Sequence, residues 1–189
     1  MQDSQRFTLK KNFGVNLLDW YRKNCRALPW RLHHADPYQI WISEVMSQQS
    51  TLKSVIPYFE RWMNRFPTVQ KVAAARESSL LSLWQGLGYY SRAKNIHRSA
   101  KQLKEYIDKN QQWPEKTEEW LNFPGVGRYT AKAVTSICFG ASDVPVDGNV
   151  LRVLGRFWAY KDAYNDAQFQ RVCEEALMSL SEKTIDIVD

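Results

Sequence analysis

At 189 residues, 44% of them hydrophobic, the chain can bury one core or two small ones and has the composition of a globular protein. No stretch approaches the ~20 apolar residues of a membrane span. The N-terminal Asp3, Arg6, Lys10 and Lys11 leave no signal-peptide core, so a cytoplasmic location is expected. The formal net charge of +6 favours a polyanionic partner, and Cys25, Cys138 and Cys173, with no C-x-x-C pair, argue against both a disulfide framework and a zinc or iron–sulfur site built by this chain alone.

From Asn12 to Asn24, Phe13, Leu17, Leu18, Trp20 and Tyr21 recur at helical spacing and predict a first amphipathic helix. Leu28-Pro29-Trp30-Arg31 reads as a loop, with Trp30 either a core plug or part of a pocket. Asp36-Pro37 is a helix start, with the aspartate as cap and the proline at the first helical position, and the helix is predicted to run to about Gln49. Within it Glu44 lies among Ile42, Val45 and Met46. A carboxylate so placed needs either an ion-pair partner or a raised pKa with a chemical use. After Gln48-Gln49-Ser50-Thr51 another helix passes through Val55 to Met63, where Pro57 predicts a kink or a join.

Thr68 is expected to cap a short helix over Val69 to Ala75, and Leu80, Leu81, Leu83 and Trp84 belong to the next, which stops at Gln85-Gly86-Leu87-Gly88-Tyr89-Tyr90. Ser91 to Lys109 is a long basic helix whose apolar stripe is Ala93, Ile96, Ala100, Leu103 and Ile107. Its cations Arg92, Lys94, Arg98, Lys101 and Lys104 read as a solvated face. Thr117 is expected to cap a short helix leading into Leu121-Asn122-Phe123-Pro124-Gly125-Val126-Gly127.

Gly125 and Gly127 bracket Val126 just ahead of a helix from Arg128 to Phe139 that stops at Gly140, a C′ glycine. Glycines there let the backbone turn sharply and approach a ligand, and first-turn amides favour an anion such as phosphate. An ordinary connection between helices would use the same glycines for positive φ. Val146-Asp147-Gly148-Asn149-Val150 follows, and Asp147 is either the cap of the next helix or a working carboxylate returned beside the glycine turn. A last amphipathic helix from Asp166 carries Phe169, Val172, Cys173, Ala176, Leu177 and Leu180. With no period-2 strand, internal repeat or low-complexity tract, the fold class is all-α.

Phe123-Pro124-Gly125-Val126-Gly127-Arg128-Tyr129-Thr130-Ala131 resembles the helix-hairpin-helix signature of DNA glycosylases, and Val146-Asp147-Gly148-Asn149-Val150 their catalytic aspartate segment. With Leu28-Pro29-Trp30-Arg31, Ser43-Glu44-Val45-Met46, Gln48-Gln49, Ile56-Pro57-Tyr58-Phe59 and Gly86-Leu87-Gly88-Tyr89-Tyr90, the whole resembles the MutY-type adenine glycosylases, in one superfamily with endonuclease III. The resemblance implies excision of adenine mispaired with 8-oxoguanine or guanine. It makes Glu44 the general acid and Asp147 the carboxylate that offsets charge on the sugar, supported by Tyr129 and Asn149. Gln48, Gln49 and Tyr89 would contact the substrate, Gln49 and Tyr89 by entering the base stack, and Trp30 and Arg31 would line the adenine pocket. Gly125, Val126, Gly127 and Arg128 would grip phosphate, and of the basic helix Arg92 and Lys94 are best placed to touch DNA. Tyr129 stands where bifunctional members carry a lysine, so a monofunctional enzyme, acting as a monomer on double-stranded DNA at the nucleoid, is expected.

By the same resemblance residues 36–140 form a six-helix barrel with the hairpin at about 121–132, and residues 1–35 with 141–189 form a partial second helical lobe. Family members continue into a four-cysteine iron–sulfur loop and an 8-oxoguanine-recognition domain. This chain stops before both, so no cluster is expected in it; Ser50 also departs from the usual threonine. Two other readings are a thymine-mismatch glycosylase and a non-catalytic DNA-binding remnant.

Overall fold

The computed structural model describes residues 8–9, 11–31, 35–160, 162 and 166–185. Asp3, Arg6 and Lys10, and part of the polar join after Trp158, lie outside them. The described residues are helical throughout and form no strand: α1 (Lys11–Asn24), α2 (Pro37–Ser47), α3 (Leu52–Arg65), α4 (Val69–Ala74), α5 (Glu77–Trp84), α6 (Tyr90–Asn110), α7 (Thr117–Trp120), α8 (Arg128–Phe139), α9 (Gly148–Phe157) and α10 (Ala167–Ile185), with a 3₁₀ turn at Pro29–Arg31. The chain divides into two compact units, one of Ala27–Ala141 and one of Met1–Arg26 with Ser142–Asp189.

In the Ala27–Ala141 unit the helix starts follow local chemistry. Asp36 accepts the Tyr38 amide at 2.8 Å, Thr51 the Ser54 amide at 3.3 Å and Thr68 the Lys71 amide at 3.3 Å, each an N-cap bond to a first-turn donor. Trp41, Trp62, Trp84 and Trp120 are fully buried in its core. The Tyr38 hydroxyl donates to the Phe66 carbonyl (2.6 Å) and accepts from Trp62 Nε1 (2.9 Å), tying the start of α2 to the end of α3, and burial raises its pKa well above the ordinary tyrosine value.

Three local expectations are corrected. Helix α2 ends at Ser47, because Gln48 turns to ψ 121° and Gln49 to φ +57°. Helix α3 runs unbroken through Pro57, with no join. Pro57 and Lys53, whose carbonyl loses its helical donor, are both exposed, so water can replace that donor. Thr117 does not cap α7. It is buried, with Oγ1 3.0 Å from Thr135 Oγ1 on α8, while Glu119 reaches back to accept the Glu115 and Lys116 amides at 3.0 Å each.

In the other unit α1 packs on α10 and α10 on α9 around Leu9, Leu151, Leu154, Phe169, Cys173 and Leu180. Asp166 accepts from the Gln168 and Phe169 amides at 3.2 and 3.3 Å and starts α10.

Candidate functional site

The glycine turn between α7 and α8 is anchored from beneath. Phe123 and Val126 are buried, the latter 7% exposed, and join the core of the Ala27–Ala141 unit, so Val126 offers only its backbone to the outside. Ser99 on α6 donates to the Pro124 carbonyl at 2.6 Å. Gly125 has φ +77°, and a Cβ there would come within 2.6 Å of Asn95 on α6. Gly127 is the N-cap of α8 at φ −88°, and a Cβ there would meet nothing within 4 Å. It brings no capping side chain, an arrangement in which a helix N-terminus favours an anionic acceptor. Arg128, exposed, adds a cation at the same end.

A second feature is built from two turns. Gln49, just past α2, has φ +57°, and Tyr89, just before α6, has φ +48°. Non-glycine residues in this region cost roughly 1 kcal/mol or more each and persist where their surroundings enforce them. Both are exposed, Tyr89 to 61%. The Ser50 amide, 3.2 Å from the Ser47 carbonyl, closes the turn at Gln49, and Arg92 is bonded to both turns. Its Nη1 donates to the carbonyls of Val45 (2.8 Å), Met46 (3.2 Å) and Gln48 (2.7 Å), and its Nη2 to those of Leu87 (3.2 Å) and Gly88 (3.3 Å). The guanidinium carbon lies 5.4 Å from the ring centres of both Trp84 and Tyr89. Trp84 Nε1 also holds the Gly88 carbonyl at 2.9 Å.

Arg92 is thus a half-buried strut rather than part of a fully solvated face, and desolvation lowers its pKa from the ordinary arginine value. Lys94 does stay exposed. The sequence reasoning missed this role of Arg92. The available signal was position: Arg92, Ile96 and Ala100 recur every four residues, which extends the apolar stripe of α6.

Glu44 lies in the last turn of α2, a helix that packs against α8, and Gln48 caps that helix. Glu44 is half-buried between buried Ser43 and Val45. Gln48 Nε2 reaches Thr130 Oγ1 at 3.4 Å, beside Arg128 and Tyr129 in the first turn of α8. The structure therefore draws the end of α2, the Leu87–Tyr89 turn and the start of α8 together. Trp30, on the 3₁₀ turn that packs against α2, is 6% exposed in the same core and edge-on to Phe59 at 4.9 Å, with Arg31 exposed beside it.

Asp147 and Asn149 belong to the other unit. Asp147 is the N-cap of α9: Oδ1 accepts from the amides of Asn149 (2.9 Å) and Val150 (2.8 Å), and Oδ2 accepts from Asn149 Nδ2 (2.9 Å). Arg152 donates to Asn149 Oδ1 at 3.0 Å, so a chain of hydrogen bonds runs from Arg152 through Asn149 to the carboxylate and fixes its orientation.

The three cysteines do not fit a four-thiolate cluster. Cys25 is exposed at the end of one unit, Cys138 is half-buried in the other, and Cys173 is buried among apolar side chains. Burial pushes the Cys138 thiol up to about 12 and that of Cys173 to about 11, the reverse of what a thiolate ligand requires. No group of three or more His, Cys, Asp or Glu among the described residues could hold a metal ion, and no helix among them is long and apolar enough to cross a membrane.

The adenine DNA glycosylase of Buchnera aphidicola subsp. Baizongia pistaciae (strain Bp) is 40% identical over 148 residues, which are 78% of this chain and 41% of that protein. The Homo sapiens adenine DNA glycosylase is 42% identical over 151 residues, 76% of this chain and 28% of that one. The chain spans less than half the length of either relative. Among solved structures, a non-covalent complex of endonuclease III with DNA matches with a TM-score of 0.70 at 28% identity, covering 92% of this chain and 78% of that one. A thermostable thymine-DNA glycosylase matches with a TM-score of 0.72 at 23% identity, covering 91% and 84%, a likeness of fold alone. The family model for HhH-GPD superfamily base excision DNA repair proteins matches residues 42–179, from within α2 into α10 and through both the glycine turn and the Asp147 cap. The chain belongs to the HhH-GPD superfamily of base excision DNA repair proteins.

Proposed function

We propose that this chain is the catalytic core of an adenine DNA glycosylase that removes adenine opposite 8-oxoguanine or guanine from double-stranded DNA, as a monomer at the nucleoid. The observation that carries this reading is the pair of exposed, strained side chains, Gln49 and Tyr89, held next to a phosphate-type helix N-terminus on the same unit. The names of the relatives above support adenine over thymine. Residues 36–140 act as the hairpin-bearing lobe, and the amides around Gly125, Val126 and Gly127, with Arg128, hold the backbone phosphate.

A base inside a duplex is out of reach, so the adenine is flipped from the stack, with Gln49 and Tyr89 entering beside the opposite base. Trp30 and Arg31 line the adenine pocket, and Gln48 contacts the substrate. Glu44 gives its proton to the adenine, and the N-glycosidic bond then breaks with its electron pair leaving on the base. The sugar is left with positive charge, which the Asp147 carboxylate offsets until water adds. Tyr129 and Asn149 hold the sugar and the aspartate, and with no amine at position 129 the product is an intact abasic strand.

The test is single-turnover cleavage of duplexes carrying adenine opposite 8-oxoguanine, adenine opposite guanine, or thymine opposite guanine, each read after alkali. Adenine release is expected from both adenine duplexes. Glu44→Gln should slow it by at least ~10²-fold without loss of binding. Asp147→Asn should also bind and fail to cut, with a stability close to wild type because asparagine caps a helix as well as aspartate does. Thymine release, or wild-type rates from Glu44→Gln, would overturn the reading.

A further inference from the structure

Gln49 and Tyr89 are forty residues apart in sequence, on turns that belong to different helices. Each is in the left-handed region, where glycine would be unstrained. A polar and an aromatic side chain stand there instead, both exposed. The Ser50 amide closes the first turn on the Ser47 carbonyl at 3.2 Å, and each turn is also tied through a neighbouring carbonyl, Gln48 for one and Gly88 for the other, both accepting from the guanidinium of Arg92. The same group takes the last-turn carbonyls of Val45 and Met46, which α2 leaves without helical donors when the chain turns away at Gln48. Planar and always charged, it donates to five acceptors from two edges while its face lies by Trp84 and Tyr89. A lysine ammonium in its place has three donors radiating from one point and cannot span both turns.

We propose that Arg92 is a positioning residue that fixes Gln49 and Tyr89 as one unit, so that the two side chains enter the base stack together rather than independently. This rests on the reading of those two side chains as the ones that enter the stack. It assigns to α6 a part in discriminating the base opposite the target, although Arg92 itself points at protein carbonyls and not at DNA. The hairpin has its own tie to α6 further along, where Ser99 donates to the Pro124 carbonyl.

The test uses a duplex with 2-aminopurine next to 8-oxoguanine, whose fluorescence rises when its stack is opened, titrated to saturation so that no turnover is needed. Wild type and a Gln49→Ala/Tyr89→Ala double variant are each compared with and without Arg92→Lys. Leu103→Ala, a buried change elsewhere on α6, serves as the control for lost stability. Wild type should enhance the fluorescence and the double variant should not. Arg92→Lys should lose most of the enhancement while keeping duplex affinity, and should change nothing further in the double variant, the non-additivity expected of groups that act through one another.

Leu103→Ala should keep the signal whatever its melting temperature. Trp84→Phe, which removes the indole donor to the Gly88 carbonyl but leaves Arg92 intact, should show a smaller loss with the same non-additivity. Full enhancement by Arg92→Lys, or a loss that merely tracks melting temperature as in Leu103→Ala, would overturn the proposal. Enhancement by the double variant would instead overturn the stacking role of Gln49 and Tyr89 itself, a result in which Arg92 takes no part.

Discussion

A Cβ at Gly125 would run into Asn95 from a backbone at φ +77°, whereas one at Gly127 would stand in open space at φ −88°. The first glycine is required by the fold and the second is not; in the proposed function the second keeps the approach of phosphate to α8 open. Gly125→Ala should lower stability by roughly 1–3 kcal/mol, read as a drop in melting temperature. Gly127→Ser should do the opposite. Serine is a good N-cap in extended backbone and stabilises by a few tenths of a kcal/mol relative to glycine, but its hydroxyl then occupies the amides meant for phosphate. A higher melting temperature with weaker duplex binding is the expected pair of outcomes; unchanged binding would remove the α8 N-terminus from the interface. Caps were readable at this level, since Asp36, Thr68 and Gly140 follow from one residue's chemistry and its neighbours in sequence. Thr117 was misread because its hydroxyl is used by Thr135, eighteen residues away, and no local rule sees that bond.

Helix α6 shows the same boundary between local and distant information. Its extent and apolar stripe followed from periodicity, but the role of Arg92 depends on where the end of α2 lies, which periodicity does not encode. Pro57 allowed a kink or a join because the rule treats the helix alone; α3 continues through it, with the proline on the exposed side. In the function proposed above, helix α8 carries the position on which the product type turns. Tyr129, in its first turn, offers a phenol and no amine, so borohydride added during turnover should trap no covalent complex between the chain and DNA. Lys132 lies three residues further along the same helix, and an adduct that disappears in Lys132→Ala would show that it acts as a nucleophile after all.

The described residues form two apolar cores of very different size, the one around the four buried tryptophans being much the larger. Each contains or borders one cysteine whose thiol burial holds in its protonated, unreactive form, Cys138 in the larger and Cys173 in the smaller, while Cys25 is exposed. A thiol reagent at pH 8 should therefore label Cys25 quickly and leave the other two. In rising urea Cys173 should become reactive before Cys138, because less buried apolar surface protects it. Simultaneous labelling would show that the two cores open as one. The smaller core also has an unusual history within each newly made chain. Its α1 leaves the ribosome ahead of the whole Ala27–Ala141 unit and packs against α10, which leaves after that unit. Translation at about 5–20 residues per second keeps that first helix, with Leu17 and Trp20 on its surface, waiting for roughly 10–30 seconds while the tryptophan-rich unit is completed. During that interval the nascent chain presents an apolar helix to any chaperone at the tunnel exit, so its folding yield in the cell should depend on the speed of translation more than the stability of the finished protein suggests.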